Sequence, residues 1–173
     1  MDLGNLKYWE EEELAKDSST SVDVLRGLAK GGNVIVRDHV AENPSAPVDA
    51  LRELAKDSSL YVRLKVADNP STPGDILREL TKTVNYKMRA FVASNPNTPE
   101  DALRDLATDE SWDVRRQVAE NPNSSSKIVI MLFEYEKSLR KPSKSIIKAL
   151  YTNKKLPAFA KRVIETLFGK WVN

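Results

Sequence analysis

An all-α solenoid is the fold this sequence predicts, on three observations. Asn-Pro recurs at Asn43-Pro44, Asn69-Pro70, Asn95-Pro96 and Asn121-Pro122, 26 residues apart each time, and a constant period over four copies marks a repeat array. Each copy holds two short segments of helical apolar periodicity separated by turn residues. None of these segments much exceeds about ten residues, which is too short to be stable alone, so stacking on neighbours must supply the burial.

The repeats run 22–47, 48–73, 74–99 and 100–125, between an N-terminal capping half-repeat at 1–21 and a degenerate repeat with a basic helical cap at 126–173. In the half-repeat, Leu14 to Ser21 aligns with Val40 to Pro47 at the same offset and reads as a lone second helix. The first helix of a repeat begins at Thr72-Pro73-Gly74-Asp75 or Thr98-Pro99-Glu100-Asp101. The threonine reads as N-cap, the proline as first helical residue and the acid as the closing member of a capping box. Ala46 fills that slot in the first copy, so its helix is expected to be weaker by roughly 0.5–2 kcal/mol. Leu25/Leu28, Leu51/Leu54, Leu77/Leu80 and Leu103/Leu106 form an apolar stripe with Val24, Ala50, Ile76 and Ala102.

The second helix carries Val34, Val36 and Val40, with equivalents Leu60, Val62, Val66; Tyr86, Met88, Val92; and Trp112, Val114, Val118. This stripe reads as core, Trp112 included. Ala41, Ala67, Ala93 and Ala119 follow, where helices pack closely. Asn-Pro then ends the helix: proline cannot continue the ladder, and asparagine tolerates a left-handed terminal conformation. Past the fourth copy, Ile128 to Phe133 keeps the first-helix register, and Ala149 to Asn153 resembles Phe91 to Asn95 six residues late. A last helix from about Pro157 to Phe168 closes the stack.

Composition narrows the chemistry. Cysteine is absent and His39 is the one histidine, which excludes disulfides, iron–sulfur clusters, thiolate zinc and multi-histidine metal sites. His39 follows Arg37-Asp38 but has no nucleophile arranged with it, Gly31-Gly32 only joins two helices, and Glu10–Glu13 lacks calcium-loop spacing. No catalytic residue, cofactor or metal is expected. The start, MDLGNLKYWEEEEL, has no basic n-region or apolar h-region, and no apolar run approaches the ~20 residues that span a bilayer. The expectation is a cytoplasmic protein without a membrane partner. The net charge of +2 hides a polarity: residues 1–125 hold 16 Lys/Arg and 22 Asp/Glu, residues 126–173 hold 11 and 3.

LxxLAxD followed by VRxxVAxNPxTP resembles the leucine-rich repeat variant family and, more broadly, HEAT-like helical repeats. Asp57 to Val62-Arg63 and Asp109 to Val114-Arg115 share the HEAT-like spacing DxxxxVR, and the likeness covers about residues 14–125 closely. It implies two-helix repeats, α/α or α/3₁₀, wound into a right-handed superhelix with the second helices on the concave side. Some members of the family carry a cysteine-rich iron–sulfur segment, which this chain cannot. Gly31 and Thr83 replace the loop acid in copies one and three, so an Asp–Arg ladder is broken there.

Three features compete as functional surfaces. Arg37, Arg63, Arg89 and Arg115 recur in every copy; contact with phosphates is one reading, and ties to Asp57, Asp109 or loop carbonyls, which would maintain the repeat, are the favoured one. Arg26, Arg52, Arg78 and Arg104 sit beside Asp23, Asp49, Asp75 and Asp101 and read as a solvated, charge-balanced face. The second-helix positions outside the apolar stripe vary between copies: Ile35, Asp38, His39, Glu42; Tyr61, Leu64, Lys65, Asp68; Lys87, Ala90, Phe91, Ser94; Asp113, Arg116, Gln117, Glu120. They carry three positive and five negative charges, the wrong balance for a phosphate-binding groove. Large apolar groups among mixed charge suit a protein or peptide partner, against the alternative that they pack on neighbouring repeats.

The sequence therefore predicts a non-enzymatic scaffold that binds a protein or peptide through Ile35, His39, Tyr61, Leu64, Lys65, Lys87, Phe91 and Arg116. The basic segment 137–162 offers a second surface, for nucleic acid or an acidic partner, through Lys141, Lys144, Lys148, Lys154, Lys155, Lys161 and Arg162, with Tyr151 and Phe159 interleaved for base stacking. The duller reading of that segment is a solubilising cap. Glu10–Glu13 against the basic end of another molecule would give weak head-to-tail self-association.

Overall fold

The structure, a computed structural model, describes residues 7–172; the first six residues of the capping half-repeat and Asn173 lie outside the described residues. Among the described residues all regular structure is α-helix, with no strand and no 3₁₀ helix. The chain divides into two compact units. Met1–Lys82 holds α1 (Tyr8–Lys16), α2 (Val22–Ala29), α3 (Val34–Glu42), α4 (Val48–Leu54), α5 (Leu60–Asp68) and α6 (Gly74–Leu80). Thr83–Asn173 holds α7 (Tyr86–Ser94), α8 (Glu100–Leu106), α9 (Trp112–Glu120), α10 (Ser126–Ser138), α11 (Lys144–Thr152) and α12 (Ala158–Val172).

Within each unit successive helices pack as in a helical repeat solenoid. In the first, second helices stack as α1 on α3 and α3 on α5, while α2 lies on α4. In the second, α7 packs on α9 and α9 on α11. The leucine pairs of α2, α4, α6 and α8 are buried, as are Val36/Val40, Val62/Val66, Met88/Val92 and Val114/Val118.

The head of the expected second-helix stripe is not core. Val34, Tyr86 and Trp112 are exposed, Trp112 at 51%, and Leu60 is half-buried. These are the first residues of their helices. Two positions further on, the chain has turned about 200°, so a residue at 112 cannot share a face with one at 114.

The first-helix start is also displaced by one residue. Pro47, Pro73 and Pro99 are extended, with ψ of 148°, 151° and 153°, and are themselves the N-caps. Their carbonyls accept the first helical N–H, from Leu51, Leu77 and Leu103. Proline suits this place because it has no N–H of its own to leave unpaired. Thr72 and Thr98 instead turn back: each hydroxyl donates to the carbonyl six residues earlier, Val66 at 2.6 Å and Val92 at 2.5 Å, and Ser124 does the same to Val118. Ala46 thus costs the first copy a tie to the preceding helix and not an N-cap.

Asparagine at the second-helix C-terminus is not left-handed either. Asn43, Asn69, Asn95 and Asn121 have φ of −65° to −67°, and no described residue has positive φ. What fixes asparagine is its side chain. The Asn69 amide donates to Ala41 O at 2.7 Å and Asn43 O at 2.9 Å, both in the previous repeat, and its Oδ1 accepts from Ser71 N–H. Asn43 reaches Ala15 O and Asp17 O in the same way, and Asn121 reaches Ala93 O and Asn95 O. These asparagines are buried, so each donor meets a helix-end carbonyl that would otherwise be orphaned. Asn153 continues the device toward Ala119 O at 2.7 Å. It comes six residues late because α10 runs to 13 residues against seven for α4, α6 and α8.

The recurring arginines form the second set of ties. Arg37 pairs with Asp57 of the next copy at 2.6 Å and 3.3 Å and donates to Gly31 O. Arg89 repeats this with Asp109 and Thr83 O. Arg63 donates to the loop carbonyls of Asp57 and Ser58. Arg115 finds Glu136 at 2.6 Å, the degenerate repeat's substitute for the loop acid, and Glu136 also accepts from Ser143 N–H.

The Arg37 guanidinium, helped by the Ser59 N–H, holds the Asp57 carboxyl below the usual carboxylate range. A depressed folded value adds stability at pH above the unfolded value and loses it as pH falls through the folded one. Asp57→Asn is therefore expected to melt below the wild type at neutral pH, with the gap narrowing below about pH 4; melts across that range check it.

Candidate partner-binding face

With the framework residues occupied, the side chains left facing solvent on the second helices are those that differ between copies. In the second unit, α7 and α9 lie side by side and leave a groove of about 230 Å³. Its walls are Tyr86, Lys87, Ala90, Phe91 and Ser94 from α7 with Asp113 and Gln117 from α9. All but Tyr86 are positions of the variable set. Phe91 and Ala90 give the groove apolar lining, with Lys87 contributed from α7 and Asp113 from α9. Neither of these charges has an ion-pair partner among the described residues. A groove of this size is smaller than the 300–1,000 Å³ typical of small-molecule sites; its volume is that of one or two side chains.

Arg116 is half-buried beside this groove without lining it, 3.8 Å from Glu120, and its Nε is enclosed without a hydrogen-bond partner. The face extends onto α11, which the sequence reading did not include: Ser145, Lys148 and Thr152 are exposed where α9 has Asp113, Arg116 and Glu120. The six-residue insertion in α10 hid that register.

In the first unit, Tyr61 is 75% exposed and Ile35 46%, while Leu64, Lys65 and His39 are half-buried. Lys65 pairs with Glu42 at 2.8 Å, and His39 Nε2 lies 3.4 Å from Glu12. Asp38, His39 and Glu42 bring their ligand atoms within 4.8 Å of one another, yet the Lys65 ammonium already neutralises Glu42 and opposes a metal ion there. Within the acidic run, Glu10 caps its own helix through Lys7 N–H and Glu12 pairs with Lys16.

The basic residues divide. Lys141, Lys144, Lys148, Lys154 and Arg162 are exposed. Lys155 donates to Pro122 O at 2.5 Å, Lys161 is half-buried, and the Tyr151 hydroxyl is bonded to Glu165 at 2.7 Å. Phe159 remains 56% exposed. None of the helices among the described residues is long and apolar enough to cross a membrane.

Comparison with known proteins fits the repeat. No curated protein matches the sequence. Residues 86–111, one full period covering α7 and α8, match the family model described as Leucine rich repeat variant. With the same 26-residue unit recurring through the sequence and only helices among the described residues, that match over one unit is consistent with a HEAT-like helical repeat protein.

Proposed function

We propose that the chain is a non-enzymatic scaffold that binds a protein or peptide segment on its second-helix face, with the α7–α9 groove as one docking point. The observation that carries this reading is the groove itself: it is lined by Phe91 and Ala90 together with two opposite charges, Lys87 and Asp113, that lack ion-pair partners among the described residues, and it is sized for side chains. It suits an apolar anchor flanked by polar contacts, the usual anatomy of an interface. The test is affinity selection of peptides from a random library against the intact protein, followed by direct binding measurement. Phe91→Ala is expected to weaken a selected peptide by about tenfold or more, as loss of an interface anchor does, while the melting temperature moves little. Unchanged affinity in Phe91→Ala contradicts the reading.

A second reading, polyanion binding by the C-terminal cations, is favoured by Lys141, Lys144, Lys148, Lys154 and Arg162 standing exposed without acid partners among the described residues. A random-sequence oligonucleotide in the same assay, at about 100 mM salt, separates the two, because phosphate-driven affinity falls steeply with salt.

A further inference from the structure

Trp9, Ile35 and Tyr61 each stand second in their helices, α1, α3 and α5, at the repeat spacing of 26 residues. All three are exposed, Trp9 at 55%. Since α1 packs on α3 and α3 on α5, the three side chains form one ridge across adjacent helices of the first unit. Tyr8 and Val34 extend it on the neighbouring position, both exposed. Helix axes in contact lie about 8–10 Å apart, so the ridge crosses about 20 Å. Contiguous apolar surface of that kind marks a contact site more often than chance exposure does.

One to two turns further along the same helices the surface becomes acidic: Glu12, Glu13, Asp38, Glu42 and Asp68 against Lys16 and Lys65. Lys16 is held by Glu12 at 2.6 Å and Glu13 at 3.5 Å, and Lys65 by Glu42. Asp38 and Asp68 have no ion pair among the described residues. Burial pushes the Asp38 carboxyl up, against the field of Lys65, the signature of a carboxylate short of compensation.

We infer that the α1–α3–α5 face docks a cationic protein segment, its apolar side chains resting on Trp9, Ile35 and Tyr61 and its Lys or Arg side chains meeting Asp38 and Asp68. This rests on the second-helix face being a peptide surface and adds to it the sign of the partner. An apolar ridge beside acids that outnumber their neighbouring cations selects by charge as well as by shape, and like-charged segments are rejected.

The probes are two fluorescein-labelled tandem peptides, Leu-Lys-Lys repeats and Leu-Glu-Glu repeats, titrated into the intact protein by anisotropy at low and physiological salt. The lysine peptide is expected to bind at least about tenfold tighter, and to weaken with salt. Trp9→Ala and Tyr61→Ala are each expected to cost about fivefold, and Asp38→Asn with Asp68→Asn to cost as much while flattening the salt dependence. Equal or tighter binding of the glutamate peptide, still lost in Tyr61→Ala, overturns the cationic assignment and leaves the peptide surface standing. Absence of lysine-peptide binding, or binding indifferent to Trp9 and Tyr61, overturns the inference outright; the Phe91 assay then decides separately whether the scaffold reading survives.

Discussion

Asn69→Ala is expected to lower stability by about 2–4 kcal/mol, because it strips a buried donor from the Ala41 carbonyl and an acceptor from the Ser71 N–H in one step. That is a large fraction of the net stability of an ordinary domain. The companion substitutions separate this account from the simpler one in which asparagine serves only as a helix stop. A left-handed cap tolerates glycine best. Here Asn69 has φ of −66° and ψ of 122°, so Asn69→Gly gains nothing from backbone freedom and loses the same bonds as alanine. Asn69→Asp keeps the shape but turns a carboxylate toward two carbonyl oxygens, so it is expected to be at least as damaging. Urea midpoints of the three variants check the order; a neutral Asn69→Gly contradicts it.

Glu136→Ala is the second large effect, expected to cost about 3–5 kcal/mol, the usual penalty for leaving the partner of a buried pair uncompensated. Glu136 is 0% exposed, its Oε1 lies 2.6 Å from Arg115 Nε, and its Oε2 accepts from Ser143 N–H at the start of α11. Loss of the carboxylate thus strands a guanidinium on α9 and unties α11 from α10. A double variant, Arg115→Met with Glu136→Leu, is expected to recover part of the loss, since burying matched apolar groups avoids the stranded charge. Recovery is partial because Arg115 also satisfies the carbonyls of Asp109 and Glu110. Thermal unfolding of the three proteins measures each quantity.

How much of this was legible in the sequence follows from what a period can and cannot encode. The helical character of the repeats was legible because Leu51/Leu54 and their equivalents fall at helical spacing. The structural role of the arginines was legible for Arg37 and Arg89, whose partners Asp57 and Asp109 keep a fixed separation of 20 residues. Glu136 was missed because the lengthened α10 moves it one position out of that register and places it beside nine basic residues. The asparagine ties were missed for a different reason: their acceptors are backbone carbonyls 26 and 28 residues away, and a carbonyl has no letter in the sequence. Trp112 was misplaced because a hydrophobic residue at a helix start fits the apolar pattern while its first turn leaves it outside the packing. Of the candidate site, Lys87 and Phe91 were legible as variable positions on the second helix. The opposing wall of Asp113 and Gln117 became a groove only when α7 met α9.

The account's central claim is that residues shared by all copies hold the stack while residues that differ recognise the partner. Amide chemical-shift mapping of the intact protein with the selected peptide tests it most directly. The account predicts the largest shifts at Lys87, Ala90, Phe91 and Ser94 on α7 and at Asp113 and Gln117 on α9. Largest shifts on the exposed face of α8, at Arg104 and Asp105, with the α7 and α9 amides unmoved, contradict it.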